Sequence, residues 1–190
     1  MRIISGIYKS RKLIAPKGDT TRPTSDRARE SLFNVLSNLI DFEDISVLDL
    51  FAGSGAFAFE ALSRGATKAT LVEQNRKVIE TIRENAQALE IGPQIQIVQK
   101  DVYKWLSDTQ PETRDAKPDL IFADPPYEDL RTLTTLPAAI FSAGLLTADS
   151  LVIAEHRTGS HLQIPENAEL FRELSAGEAV FSFLRQKRAT

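Results

Sequence analysis

The most specific chemistry in the chain sits in four consecutive residues, Asp124-Pro125-Pro126-Tyr127. Two successive prolines have no backbone donors and a fixed φ, so they end the strand before them and lock the geometry of what flanks them. The Asp124 carboxylate and the Pro125 carbonyl are then two acceptors held close together, with the flat ring of Tyr127 two residues later. This set suits an exocyclic amino group on a planar base: the acceptors take its two hydrogens while the ring stacks. The lone pair of such an amine is delocalised, and fixed acceptors that tighten as positive charge develops on nitrogen draw it out of conjugation. The fitting reaction is in-line transfer of a methyl group, with positioning as a main source of rate.

A glycine loop precedes this tetrapeptide, in Asp49-Leu50-Phe51-Ala52-Gly53-Ser54-Gly55-Ala56-Phe57-Ala58. Gly53 and Gly55 permit a tight turn and close backbone approach to a ligand, Ala58 completes a G-x-G-x-x-A spacing, and Glu73 lies where a ribose-binding acid is expected. The motif alone fits a nicotinamide dinucleotide as well as S-adenosylmethionine. Charge separates the two, because a pyrophosphate would meet Asp49 with Asp101 and Asp124 at neighbouring strand ends. S-adenosylmethionine brings a sulfonium and an ammonium that carboxylates favour, a ribose diol for Glu73 and an adenine amino group for Asp101.

The elements that must position these groups are legible. From residue 45 onward, apolar runs each lead to an acid: Ser46 to Asp49, Ala69 to Glu73, Ile95 to Val98 before Asp101, and Leu120 to Asp124. The acids are 24, 28 and 23 residues apart, the length of a strand, a crossover helix and loops, so these are βα units of a parallel sheet. Helices are expected over Ala56 to Ser63, Arg76 to Leu89, Val102 to Leu106 and Leu130 to Phe141. A fifth strand, Leu151 to Glu155, follows, then an antiparallel pair, Glu169 to Leu174 and Ala179 to Leu184. The expected fold is a doubly wound, Rossmann-like α/β sheet, mostly parallel, with ligands beyond the strands' carboxyl ends. Ahead of it, Thr24 or Ser25 caps a helix with Ala28, Leu32, Val35, Leu36 and Leu39 on one face and Arg27, Arg29 and Asn34 on the other. A basic arm or hairpin opens the chain.

With these motifs in place, the chain resembles the S-adenosylmethionine-dependent amino methyltransferases, whose signature is D/N-P-P-Y/F/W. Arg2 to Gly6, Arg11 to Leu13, Thr21 to Thr24, Asp26-Arg27 through Asn34 and the FAGSGAFAFEALSRG loop narrow the resemblance to the bacterial small-subunit rRNA guanine-N2 methyltransferases of the RsmD type. It runs nearly end to end, least distinctly between Asp108 and Lys117 and after Glu155. The resemblance implies a monomeric class I methyltransferase fold acting on 16S ribosomal RNA in assembled or assembling small subunits. It places the cofactor at Asp49, Gly53, Gly55, Glu73 and Asp101, with Phe51, Ser54 and Val102 alongside, and catalysis at Asp124, Pro125, Pro126 and Tyr127. Some relatives carry Phe for Tyr127 and a non-acidic residue at Asp101.

A guanine within RNA must be unstacked to reach such a site. Arg2, Lys9, Arg11, Lys12, Lys17 and Arg22 are expected to hold flanking phosphates, and the resemblance implies that Arg22, Thr24 and Asn34 lie nearest the base. Residues 1–30 hold eight Lys or Arg against three acids, and the rest 15 against 23, a basic arm on an acidic body. Arg185, Lys187 and Arg188 form a second cationic group that touches RNA or is simply solvated. An adenine-N6 methyltransferase on RNA or DNA fits the tetrapeptide equally, a silent RNA-binding assembly factor would not need it, and a dehydrogenase would need only the loop.

Composition sets the outer bounds. At 190 residues, 42% hydrophobic and 26% charged, a single domain over 1–190 is expected, with residues 1–24 as the arm and 25–190 as the body. The absence of cysteine excludes thiolate zinc sites, iron-sulfur clusters and a cysteine nucleophile. His156 and His161 lack a third ligand at metal spacing, so both are expected in solvent and no metal site is expected. Trp105, Phe51, Phe57 and Phe59 are expected in the core. The charged start MRIISGIYKSRK and the lack of an apolar run of roughly 18 residues point to a cytoplasmic protein without membrane contact.

Overall fold

A computed structural model describes residues 1–16, 25–108, 117–129 and 131–187. Lys17, Arg22, Thr24 and Arg188 lie outside the described residues. Seven strands form one sheet in the order β3-β2-β1-β4-β5-β7-β6. The first five, β1 (Ser46–Leu50), β2 (Lys68–Glu73), β3 (Ile95–Gln99), β4 (Leu120–Ala123) and β5 (Leu151–Arg157), run parallel. β7 (Ala179–Gln186) lies antiparallel between β5 and β6 (Ala168–Ala176). The chain builds β1, β2 and β3 outward, then returns to place β4 on the other side of β1, so the topological switch point falls between β1 and β4.

Strand residues alternate between two cores because successive side chains point to opposite faces. Val47, Leu120, Phe122 and Ile153 face α1 (Asp26–Leu36), α2 (Ala56–Ser63) and α3 (Arg76–Leu89). Leu48, Leu50, Ile121 and Val152 face α4 (Val102–Ser107) and α6 (Leu136–Ser142). The Phe57 ring stacks on Phe122 with centroids 4.0 Å apart, joining α2 to β4. All eight residues of α2 are buried, Glu60 and Ser63 included, because residues 3–8 cover its outer side.

The opening segment holds one isolated antiparallel bridge, Arg2 to Lys12, and is fixed by the body. The Ile4 and Ser5 N–H groups donate to the buried Glu60 carboxylate at 2.7 and 3.0 Å. Ile7 N–H donates to the Ser63 carbonyl at 2.8 Å, and Tyr8 N–H to the Ser63 hydroxyl at 2.9 Å. Gly6, at φ 82°, passes so close that a Cβ there would lie 1.7 Å from the Ser63 carbonyl oxygen. Ile3 and Leu13 enter the core.

Four expectations need correction. In place of the one helix expected over Leu130 to Phe141, the described residues 131–142 hold two, α5 (Arg131–Thr134) and α6, with Pro137 in the first turn of the second. Proline lacks the N–H that would continue the ladder, and the Leu133 carbonyl instead accepts from Gln163 N–H at 2.7 Å. Leu39 lies past the end of α1 and is exposed. Arg29 is on the buried side of α1, 3% exposed, its Nη2 donating to the Arg2 carbonyl and to Asp26. His156 is buried, its ring between the Ser160 and Ser182 hydroxyls at 3.1 and 2.9 Å, and burial lowers its pKa; His161 is exposed. Among the described residues, no helix is long and apolar enough to cross a membrane, and no cluster of three or more His, Asp or Glu is arranged to hold a metal ion.

Candidate active site

Parallel register brings the acid-bearing strand ends together. Leu50 of β1 is opposite Val72 of β2 and Ala123 of β4, so Glu73 and Asp124 emerge beside the residues leading into the glycine loop. These ends frame a cleft of about 680 Å³, within the usual range for a small-molecule site. Asp49, Glu73, Asp101 and Asp124 all line it, as do Phe51, Gly53, Ser54 and Val102 on the loop side. Pro125, Pro126 and Tyr127 complete the wall.

The loop is held by its own acids. Gly53 N–H donates to Glu73 Oε2 at 3.1 Å, and Asn75 N–H to Oε1 at 2.8 Å, so Glu73 ties the loop to the start of α3. Gly53 and Gly55 have φ of 54° and 78°, the region glycine enters without strain. At Gly55 a Cβ would meet the Phe59 ring at 2.7 Å; it supports the cleft by starting α2 and does not line it. Asp49 is 2% exposed and accepts from Ala58 N–H at 3.3 Å. Burial raises its pKa well above the ordinary carboxylate value, reinforced by Asp124 and Glu73. Asp101 caps α4, accepting from Lys104 N–H at 3.0 Å.

Tyr127 is half-exposed at the cleft mouth, and its hydroxyl donates to Glu155 at 3.1 Å. Burial and the nearby Glu155 and Asp124 push its phenol pKa up, so the ring stays neutral. Its face is thus anchored at the hydroxyl end. Phe51, which also lines the cleft, packs edge-on against Tyr103.

The cationic residues divide. Arg2, Lys9, Arg11 and Lys12 are exposed along the opening segment and do not line the cleft, although Ala15 and Pro16, just beyond them, do. Arg11 donates to the Ala88 carbonyl at the end of α3. Asn34 is exposed on α1, away from the cleft-lining Arg29 and Leu32. Sequence reasoning missed Arg29, Glu155 and Asn85. Arg29 shares a helical stripe with Leu32, Phe33 and Leu36, and Asn85 shares one with Ile82 and Leu89, so periodicity marked both. Asn85 is buried and exchanges two hydrogen bonds with the Ile14 backbone while donating to the Ser54 carbonyl at 3.2 Å.

A family model described as Conserved hypothetical protein 95 matches residues 1–185. The chain belongs to this family. Ribosomal RNA small subunit methyltransferase D of Escherichia coli (strain K12) is 34% identical over 188 residues, covering 98% of this chain and 90% of its own. YlbH of Bacillus subtilis (strain 168) is 37% identical over 168 residues, 87% of this chain and 86% of its own. The solved structure of yhhF from Escherichia coli superposes with a TM-score of 0.81 at 32% identity, over 98% of both chains. The protein is a methyltransferase of this family, on a class I methyltransferase sheet.

Proposed function

We propose that the protein transfers the methyl group of S-adenosylmethionine to the exocyclic N2 amino group of a guanine in 16S ribosomal RNA, within assembled or assembling small subunits. The observation that carries this reading is that the glycine loop and Asp124-Pro125-Pro126-Tyr127 face one cleft. We further take the protein to work as a cytoplasmic monomer and the whole chain as one methyltransferase domain.

The donor set fits this cofactor. A cationic sulfonium and ammonium suit a cleft whose charged lining is mainly carboxylate, and Phe51 and Val102 offer an apolar wall. Bound there, S-adenosylmethionine supplies an electrophilic methyl group. Glu73 would hold the ribose diol, Asp101 the adenine amino group, and Asp49 with the Gly53 loop the methionine end. An extruded guanine would stack on Tyr127, whose tether to Glu155 limits ring rotation. The Asp124 carboxylate and the Pro125 carbonyl would accept the two amino hydrogens and stabilise positive charge as it grows on nitrogen. Lys9, Arg11 and Lys12 would hold flanking phosphates while the base is out of the helix.

The test is incubation of undermodified small subunits with isotope-labelled S-adenosylmethionine, followed by nucleoside analysis of the recovered RNA. Label in N2-methylguanosine that disappears with Asp124→Ala is expected. Label in N6-methyladenosine would replace the base, and methylation unchanged by Asp124→Ala would overturn the catalytic assignment.

A further inference from the structure

The ligand proposed for this cleft is not purely cationic: its amino-acid end carries a carboxylate that four acids at the strand ends cannot hold. Among the described residues lining the cleft, the cationic side chains are Arg29 and Lys100. Lys100 is partly exposed and paired with Asp108 at 2.7 Å. Arg29 differs in every respect that matters. Its side chain is 3% exposed, it reaches the cleft from α1 beside Leu32, and a buried cation is costly unless paired and hydrogen-bonded. Its Nη2 is used, donating to the Arg2 carbonyl at 2.5 Å and to Asp26 at 3.0 Å, but Asp26 is itself 43% exposed. Its Nε is buried without a hydrogen-bond partner among the described residues. Arginine has five donors and no acceptor, so an acceptor anion is what this orphaned edge lacks.

We propose that Arg29 is the cofactor-positioning cation of this enzyme, holding the α-carboxylate of S-adenosylmethionine. This rests on the function proposed above and adds its missing charge complement: carboxylates for the cationic atoms, one buried guanidinium for the anionic group. The bonds of Nη2 to Arg2 and Asp26 fix the guanidinium before the ligand arrives, so little side-chain entropy remains to be lost on binding. They also make the opening segment part of the subsite, since the Arg2 carbonyl orients Arg29.

The discriminating pair of probes is S-adenosylhomocysteine and its decarboxylated analogue, which keeps the ammonium, thioether and nucleoside. Calorimetric titration of the full-length protein reads both without RNA or turnover. A hydrogen bond to a charged group implies that wild type prefers S-adenosylhomocysteine by roughly 10- to 100-fold. Arg29→Gln should erase most of that preference by weakening S-adenosylhomocysteine alone, leaving the analogue within about twofold of wild type, and Arg29→Lys should restore part of it through its charge. Equal affinity of wild type for the two probes overturns the assignment without any variant, which covers the case of a variant that fails to fold. A preference that survives Arg29→Gln overturns it too and moves the role to another cation, such as the Met1 amine. Parallel loss of both probes makes Arg29 structural only. Wild type that binds neither probe removes S-adenosylmethionine as the ligand of this cleft, and this assignment with it.

Discussion

Glu60 offers the sharpest test of how the opening segment is held. Its carboxylate has no solvent exposure and accepts from three donors: Ile4 N–H at 2.7 Å, Ser5 N–H at 3.0 Å and Arg64 Nε at 2.8 Å. Glu60→Ala removes all three bonds and leaves Arg64, 13% exposed, without its buried partner. Removing one member of such a pair costs about 3–5 kcal/mol, and any backbone donor that stays dry adds to it. For a chain of this length each kcal/mol lowers Tm by about 2–4 °C, so a drop of roughly 6–20 °C is expected. Glu60→Gln, which keeps the shape but turns an amine toward one of the donors, should fall between. Scanning calorimetry measures the first effect, and hydrogen exchange at the Ile4 and Ser5 amides shows whether the segment has come loose. A Tm within about 2 °C of wild type, with both amides still protected, refutes the claim that Glu60 fastens the segment.

Three further outcomes follow from the geometry. Tyr127→Phe loses the hydroxyl that reaches Glu155 but keeps the ring, so methylation should persist, whereas Tyr127→Ala should lose stacking of about 1–3 kcal/mol, roughly 5- to 150-fold in rate with small-subunit substrate; equal losses in the two would sink the stacking role. Replacing Lys9 and Lys12 with Gln should weaken RNA binding and flatten the slope of log affinity against log salt by roughly 0.7–0.9 per side chain, read by filter binding, and an unchanged slope would remove both from the interface. Burial, with Asp124 and Glu73 nearby, holds the Asp49 pKa well above the usual value, so its carboxyl supports folding fully below about pH 4 and loses that support as pH rises through the raised folded value. Asp49→Asn does not titrate, and its Tm relative to wild type should therefore climb from pH 4 to pH 8 while affinity for S-adenosylhomocysteine falls; a difference flat across that range contradicts the burial argument.

The first four strands were legible because each apolar run is short, leads to an acid and recurs at the spacing of a βα unit, a pattern that few other folds produce. All seven were found, no strand end lying more than two residues from its expected place. The site residues near those ends followed, since parallel register carries strand ends into one neighbourhood. What stayed hidden involves charge that points inward. Arg29 was assigned to the face of α1 opposite the apolar one, where arginine usually lies, although its spacing from Leu32, Phe33 and Leu36 argued otherwise. Glu60 drew no notice for a different reason: its partners are main-chain N–H groups fifty-five and fifty-six residues away, and a backbone donor leaves no mark on side-chain spacing. The break at Thr135 was visible in Pro137 but was outweighed by the apolar run around it.

These inward charges explain why the basic segment and the cofactor loop act as one structure. Helix α2 runs from Ala56, capped by Gly55, to Ser63, so its first turn lines the cleft while Glu60 and Ser63 grip residues 4–8. Asn85 makes the same connection from α3, bonding both the Ile14 backbone and the Ser54 carbonyl, and Arg29 makes it from α1 through the Arg2 carbonyl. Three helices therefore each hold the opening segment with a buried polar side chain, and of these Arg29 lines the cleft while Asn85 bonds the cleft-lining Ser54. The proposed transfer to an unstacked base needs phosphate contacts fixed relative to the reacting atoms, because slack between the two would let the base leave before transfer. An arm tethered only at residue 25 would not supply that constraint. A segment bonded along its length to the helices that carry the glycine loop does, which gives a reason for burying Glu60, Asn85 and Arg29 where apolar residues would otherwise pack.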